Sequence, residues 1–393
     1  MQNICIFAAA NNGKKVMNPP FQYGKVAEGF SFVNRVKEKQ MLKNNLSAGI
    51  NTMLISPRRM GKSSLVKVAM TELEKERPDI KICFIDAFTI KSEDEFYQNF
   101  ACAVIKAVHS KWEMWISTAK KYLAAFSPKI SIGADPMTDF SIGLERNIIK
   151  ENEPELLNLP EKMAQAKKIR IVVCIDEFQN LAKLKEFDAL EQKMRSVWQH
   201  QQNVTYCLYG SKRHMMMNIF SSVSKPFYRF GQIMFLAKIE EQEWVHFIMK
   251  AFETTGKKIT ETLALELVRM VDAHSWYVQQ LAYFVWSIAD NEVNTDVLQQ
   301  AIEQVTDANV PLYQNECDAL TASQLNLLMA IADRVQNLTA VETMNRYCMG
   351  TPQNVSKNKK MLQNRDIVEK TKDGFSFLDP IFKRWLSLHR KNR

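Results

Sequence analysis

The sequence predicts an α/β fold: a three-layer core around a parallel sheet, followed by an all-helical lid and a winged-helix domain. Three observations support this. Apolar, β-rich runs alternate with stretches long enough for helices, amphipathic helical patterns replace them after about Ile239, and three helices and a turned ribbon close the chain. The predicted divisions are a loose N-terminal tail at 1–16, the core at 17–238, the lid at 239–310 and the winged helix at 311–393.

The predicted core strands are four runs that are continuously apolar rather than alternating, which is typical of parallel strands buried on both faces. They lie at 52–56, 80–87, 169–177 and 204–211. The less regular stretch at 110–150 predicts a hairpin-type insertion around Asp135-Pro136. In the lid, Thr260 and Asn294 are expected to cap helices and Gly256 to end one.

The composition is that of an ordinary globular protein, with 46% hydrophobic and 24% charged residues. No apolar run approaches the ~20 residues that cross a bilayer, and the first residues lack the features of a secretion signal. Met17 begins a segment that is typical of a natural start, so residues 1–16 are expected to be either a loose tail that begins at Met1 or a mis-called start. Seven scattered cysteines without a C-x-x-C pair argue against a disulfide framework and a zinc site. These features predict a reduced, cytoplasmic protein without a membrane partner.

A phosphate-binding loop is predicted between the first strand and the following helix. The segment from Ser56 to Ser63 matches the P-loop pattern except at its first position, where Ser56 replaces glycine. Backbone N–H groups there surround phosphates, Lys62 adds a charge toward the β and γ phosphates, and Ser63 ligates Mg²⁺. A chance match in a strand–helix turn is the alternative. The predicted nucleotide contacts are Pro57, Arg58, Arg59, Met60, Gly61, Lys62, Ser63 and Ser64.

An acidic pair at the end of the third apolar run completes the predicted site. Asp176 and Glu177 follow IVVCI, and a carboxylate pair there is costly unless it enters a polar site. Asp176 is expected to hold Mg²⁺ and Glu177 to polarise the attacking water. The two motifs, in this order and on strands, predict an ATPase with ATP and Mg²⁺ as cofactors.

The chain resembles the archaeal-type ATPase family of the AAA+/STAND P-loop superfamily. The resemblance spans about residues 17–393 and rests on five stretches: FQYGKVAEGFSFVNR (21–35), PRRMGKSSL (57–65), IDEFQNL (175–181), YGSKRHMMMNIF (209–220) and DPIFKRWL (379–386). It implies an AAA+-like core, a helical lid and a C-terminal winged helix, in the order read from the residues.

The resemblance also implies roles for further residues. Asn34 and Arg35 correspond to a pair that borders the adenine, although a helix cap with a surface arginine is an alternative. Ser211 corresponds to a sensor of the γ-phosphate or attacking water. Arg229 lies where an arginine finger could be presented, or is a salt-bridging surface arginine. The lid departs from the family's Gly-x-Pro turn, which is His274-Ser275-Trp276 here, so His274 is given no catalytic role.

The C-terminal segment is the most basic part of the chain. Residues 351–393 contain eleven Lys/Arg and four Asp/Glu, a net +7 of the chain's +9. In the helix opening at Pro352, inward-facing Val355 and Leu362 leave four polar side chains outward, namely Gln353, Asn354, Lys357 and Lys360. Such side chains suit contacts with double-stranded DNA, whereas winged helices also bind proteins.

The function expected from these features is an ATP-hydrolysing molecular switch whose winged helix contacts DNA. The alternatives are a nucleotide-locked signalling scaffold and an adaptor whose winged helix binds a protein partner. A homo-oligomer is a further expectation, because an arginine finger acts on a neighbouring subunit.

Overall fold

In the computed structural model, the residues described are 19–27, 29–109, 111–135, 139–371 and 374–390. The predicted tail at 1–16 therefore lies outside the described residues. The strands, in chain order, are β1 (Thr52–Ile55), β2 (Ile80–Asp86), β3 (Lys129–Ser131), β4 (Ser141–Gly143), β5 (Arg170–Asp176), β6 (Val204–Gly210), β7 (Gln232–Phe235), β8 (Val368–Thr371) and β9 (Gly374–Phe377).

Helices cover both faces of the sheet and most of the C-terminal half. They are α1 (Val36–Ser47), α2 (Lys62–Glu76), α3 (Glu93–Val108), α4 (Trp112–Tyr122), α5 (Arg146–Glu151), α6 (Glu153–Leu157), α7 (Leu159–Lys167), α8 (Phe187–Trp198), α9 (Arg213–Ser221), α10 (Glu241–Thr254), α11 (Glu261–Met270), α12 (Ser275–Ile288), α13 (Thr295–Asp318), α14 (Ala322–Ala332), α15 (Val341–Arg346), α16 (Pro352–Asn364) and α17 (Pro380–Arg390). No helix of the described ranges combines the length and apolar character of a membrane span.

The central sheet is five-stranded and parallel, in the order β2-β5-β6-β1-β7. Every residue of β1 and β6 is buried, as expected for strands covered on both faces. Alternate strand residues enter two separate apolar clusters: Leu54 packs with α1 and α2, whereas Met53 packs with the layer that contains α3 and α8. The predicted α/β three-layer fold is confirmed.

The sheet also contains a strand that the sequence did not predict. The edge strand β7 is four residues long and has one buried residue, and within the described ranges it pairs with β1 alone. The run IMFLA (233–237) is apolar but short, and the strand is mostly not buried, so it differs from the fully buried runs that predict β1 and β6. The predicted hairpin insertion corresponds to the antiparallel pair β3–β4, although Pro136 of its predicted turn lies outside the described residues.

The residues predicted to cap or end the helices of the lid lie at helix ends in the structure. Thr260 accepts a hydrogen bond from the Leu263 amide and Asn294 from the Val297 amide, while Gly256, with φ 72°, follows the last turn of α10. Helix α13 continues through Pro311, so the predicted boundary there falls inside a helix. The lid and the winged helix share one continuous apolar cluster.

The winged helix consists of α14, α15, α16, the ribbon β8–β9 and α17. Thr321 and Gln324 form a capping box at the start of α14, and Thr351 caps α16, which opens with Pro352. The predicted ribbon turn at Asp373 lies outside the part of the chain that the structure describes. The predicted winged helix is confirmed.

Candidate nucleotide-binding site

The predicted phosphate loop joins the end of β1 to the first residue of α2, so the helix N-terminus points its free N–H groups at the loop. Gly61 has a φ of 86° and precedes the helix directly, a conformation that favours glycine. Ser56, where the common pattern has glycine, is buried and has no positive φ. The departure at Ser56 therefore causes no backbone strain.

The acidic pair lies directly against this loop. Lys62 Nζ is 2.8 Å from Asp176 Oδ1 and 3.0 Å from Glu177 Oε1, and Ser63 Oγ donates to Asp176 Oδ2 at 2.7 Å. Asp176 ends β5, whose neighbour β6 separates it from β1. The parallel order of the sheet thus brings together groups that are more than a hundred residues apart in the sequence.

Ser211 follows the last residue of β6 and donates to Glu177 Oε2 at 2.7 Å. Burial alone raises the pKa of Glu177, but the charge of Lys62 and the hydrogen bonds from Ser211, Gln179 and Lys62 outweigh it, so the pKa lies below its usual value. Glu177 is therefore held ionised, with a donor on each oxygen. Sequence patterns gave no role to Gln179, whose amide also donates to Oε2.

A cavity of 680 Å³ extends from these groups. One end is lined by the phosphate loop, Glu177 and Ser211, and the other end by residues 22–27 and 31–33 and by the lid. The apolar lining there includes Val26, Phe32, Trp244 and Trp276. A charged end and an apolar, aromatic end match the phosphates and the base of a nucleotide.

Arg35 and Asn34, which the resemblance places beside the adenine, both form hydrogen bonds within the protein. Arg35 is buried and lines the cavity, but its guanidinium donates to the carbonyls of Met60 and Ala237 and to Glu38. It therefore ties the phosphate loop to the segment after β7. Asn34 accepts a hydrogen bond from the Val36 amide through its side chain. Contact of either residue with a base stays a prediction.

The remaining loop residues line the same cavity. Pro57, Arg58, Arg59 and Met60 all border it, and the guanidinium of Arg59 lies 4.8 Å from the ring centre of Trp276 on the lid. Ser64 Oγ accepts from the Ala27 amide at 2.9 Å, which fixes the N-terminal segment against α2.

Two lid residues were missed by the sequence patterns. One is Trp276. The other is Gln279, whose side chain accepts a hydrogen bond from the Gln22 amide and donates one to the Ser31 carbonyl, so that it connects two parts of the segment that precedes α1. Neither has a motif of its own, because each acts through residues more than 200 positions away. His274 is buried beside the cavity, and burial together with Lys238 and Arg59 lowers its pKa to about 4.

Arg229 lies apart from this constellation. It is exposed, with a φ of 53°, and precedes β7, which runs parallel to β1. Because the phosphate loop follows the opposite end of β1, Arg229 is separated from it by at least the length of β7, roughly 13 Å at ~3.3 Å per residue. The structure does not bring Arg229 to the site of its own chain.

The outward face of α16 is as the sequence predicted. Val355 and Leu362 are buried, whereas Gln353, Asn354, Lys357 and Lys360 are exposed. Lys359 instead lies 5.4 Å from the ring centre of Phe375 on β9.

Comparisons with known proteins agree with this architecture. Residues 60–225 match the family described as "KAP family P-loop domain", and residues 311–388 match "Probable winged helix domain". A Walker-type ATPase of Pyrococcus abyssi is similar in structure, with a TM-score of 0.63 and 15% identity, over 91% of this chain and 96% of that chain. The ORC2 protein of Aeropyrum pernix, in ADPNP–ADP complexes, has a TM-score of 0.57 and 15% identity, over 91% and 94%.

At this identity the structural likeness shows the fold, and no curated protein matches the sequence. The family match at 60–225 covers the last part of the phosphate loop, from Met60 to Ser63, the acidic pair and Ser211, while the second match, at 311–388, covers most of the winged helix. The predicted resemblance to a P-loop superfamily with a C-terminal winged helix is confirmed. The chain thus has the P-loop NTPase fold, is similar to the KAP family P-loop domain over residues 60–225, and ends in a winged helix domain.

Proposed function

We propose that the chain is an ATPase that acts as a molecular switch between ATP-bound and ADP-bound states. The observation that carries the proposal is the contact of Lys62 with both Asp176 and Glu177 at the charged end of a nucleotide-sized cavity. Each of the three has a separate task in phosphoryl transfer to water. The ADPNP–ADP complexes of the ORC2 protein support adenine nucleotides as the ligand class.

Nucleotide binding exchanges partners at Lys62. The ammonium group has three donors and is nearly buried between two carboxylates. The β and γ phosphates supply the same negative charge from the cavity side, where the N-terminus of α2 adds further N–H donors. Lys62 can then leave Glu177 without becoming an unpaired buried charge.

Mg²⁺ fits the oxygen atoms beside Lys62. The Ser63 hydroxyl and the Asp176 carboxylate are 2.7 Å apart and are hard oxygen ligands of the kind that Mg²⁺ prefers. When bound, the ion neutralises charge on the phosphate oxygens. Ser63 would hold it directly and Asp176 through water.

Glu177 is the general base of the proposed reaction. Its lowered pKa keeps the carboxylate ionised at neutral pH, so it can accept a proton as water attacks the γ-phosphorus. The bond from that phosphorus to the bridging oxygen breaks, and ADP keeps the electron pair. Ser211, bonded to the other carboxylate oxygen, fixes the orientation.

Asn34, Arg35 and the aromatic lining are proposed to enclose the adenine base. Arg35 would do so indirectly, through its hydrogen bond to the Met60 carbonyl in the phosphate loop. Arg229 is proposed to act on the site of a neighbouring copy in a homo-oligomer, since its own site is out of reach. Turnover per molecule should then rise with protein concentration in the wild type and stay negligible for Arg229→Ala at every concentration.

Duplex DNA is the proposed partner of the winged helix. The support is the exposed amide and lysine face of α16 together with the net +7 of residues 351–393. A protein partner is the alternative, because the same fold serves both.

Steady-state ATP hydrolysis, with and without duplex DNA, tests the proposal. Turnover that DNA stimulates supports both parts. Turnover that DNA does not change supports the ATPase and favours a protein partner. Tight ATP binding without turnover, alone or with DNA, would instead indicate a nucleotide-locked scaffold. Lys62→Ala serves as the control for contaminating ATPases.

A further inference from the structure

Gln179 is a buried amide two residues after the proposed base. It is 1% exposed and lies in the 3-10 helix Phe178–Lys183 that follows Glu177. Its Nε2 donates to Glu177 Oε2, the oxygen that also accepts from Ser211. Lys62 contacts only the other oxygen, Oε1. The two carboxylate oxygens thus have different partners.

The neighbouring strand leaves space for this amide. A Cβ atom on Gly210 would lie 1.9 Å from Gln179 Oε1. Gly210 has no positive φ, so its backbone conformation is open to any residue. The added Cβ would also lie 2.8 Å from Met216 Sδ, so the glycine, directly before Ser211, gives room first to the Gln179 amide and then to the Met216 side chain.

The amide is also costly where it lies. Gln179 Oε1 is buried and has no hydrogen-bond partner among the described residues, and a buried unpaired acceptor is destabilising. An apolar side chain of similar length would avoid that cost. Only the NH₂ group of the Gln179 amide can face the carboxylate, because the amide oxygen and the Glu177 oxygens are all hydrogen-bond acceptors. The contact that compensates for the buried amide is the one with Glu177.

We propose that Gln179 is a positioning residue for hydrolysis, which keeps Glu177 Oε2 in place so that Oε1 faces the attacking water once Lys62 turns to the phosphates. This inference rests on the proposed ATPase function. In the step itself, the water oxygen bonds to the γ-phosphorus, its proton passes to Oε1, and the leaving ADP takes the electron pair. Gln179 neither gains nor loses a proton.

Gln179→Met tests the role, because methionine has a similar length and no N–H donor. We expect kcat to fall about 10- to 100-fold, the effect of misplacing a reacting group, with ATP affinity within about two-fold. The loss should fall on kcat and leave the KM for ATP unchanged, because the contact orients the base and not the nucleotide. Gln179→Glu, which keeps the length of the side chain but places a carboxylate against Glu177, should lower kcat at least as much.

Gln280→Met is the matched control. Gln280 is a buried glutamine of the lid whose Oε1 is likewise unpartnered among the described residues, and it does not line the cavity. It should lower thermal stability at most and leave kcat and KM unchanged. A fall of kcat at unchanged KM in Gln179→Met alone separates positioning from a general loss of packing.

Gly210→Ala supplies an independent test through the same contact. It should lower kcat by displacing the amide, and in the double variant with Gln179→Ala it should cost little more than Gln179→Ala alone. Wild-type kcat in Gln179→Met, or fully multiplicative effects in the double variant, would overturn the inference and leave the ATPase intact. Absence of turnover in the wild type would overturn the ATPase proposal, and the positioning role with it.

Discussion

The nucleotide end of the core and the junction between lid and winged helix are stabilised by different interactions. At the first, half-buried charges and hydroxyls hold one another within 2.7–3.0 Å. At the second, α12, α13 and α17 share one apolar cluster, and the hydroxyls of Tyr277 and Tyr313 at its edge donate to Asp379. The charged site can exchange its partners for a nucleotide, whereas the apolar junction has no such substitute. Substitutions at the first should therefore change function, and substitutions at the second should change stability.

Phe382→Ala should have the largest effect, on the apolar side of this comparison. The Phe382 ring on α17 is buried and stacks on Tyr313 of α13, with 5.0 Å between ring centres. Its removal should lower the free energy of unfolding by about 3–5 kcal/mol through lost burial and a cavity. Leu312→Ala, on the same helix as Tyr313 but 61% exposed, is the control and should change it by less than about 0.5 kcal/mol. Chemical denaturation measures both, and equal losses would contradict a shared core.

Glu177→Gln should lower the rate of hydrolysis and leave stability unchanged, the reverse of what is expected for Phe382→Ala. The amide keeps the size of the side chain but cannot accept a proton, so kcat should fall about 10²-fold or more. ATP affinity and the free energy of unfolding should stay close to wild type. Single-turnover hydrolysis measures the rate of the chemical step, and calorimetry measures the ATP affinity. Hydrolysis at the wild-type rate would show that another group is the base.

Lys62→Ala should act on binding. The affinity for ATP–Mg²⁺ should fall about 10- to 100-fold, because a charged donor to the phosphates is lost. Asp176 and Glu177 then face each other without their shared cation, which adds repulsion toward the phosphates. Isothermal titration calorimetry gives the affinity, and an unchanged value would refute the phosphate-loop assignment.

Replacing Lys357 and Lys360 with alanine should weaken DNA binding. It should change neither ATP hydrolysis at the nucleotide site nor the stability of the junction between lid and winged helix. Two phosphate contacts fewer should flatten the slope of log affinity against log salt by about 1.8. Lys120 and Lys121, which are exposed on α4, are the matched control pair. Fluorescence anisotropy across a salt series measures the slope. Equal effects of the two pairs would place the DNA contact elsewhere.

Asp366→Asn should have the smallest effect. Asp366 lies 3.4 Å from Lys212, the residue after Ser211, and joins the winged helix to the core. A partly exposed ion pair of this kind contributes up to about 1 kcal/mol. Asp366→Asn should therefore lower unfolding stability by that amount at low salt and by less at high salt. A larger loss would mean that the core and the winged helix are joined as firmly as the lid and the winged helix are.

The sequence by itself determined the parts of this protein that are local in the chain. A buried strand, a basic loop and a helix start in succession predict the phosphate site, and an apolar run that ends in two acids predicts its partner strand. Helix caps such as Thr260 and Asn294 were predicted because they act within three residues. The three-layer core and the winged helix follow from the order of such patterns.

Only the tertiary structure decided which distant residues support them. Arg35 joins Met60 to Ala237, Gly210 makes room for Gln179, and α13 carries one apolar core across Pro311. None of these has a signature of its own, because the partner that gives each residue its role comes from another element. Local patterns specify strands, helices and chemical types, whereas the pairing of side chains depends on how sheet order and helix packing bring those elements together.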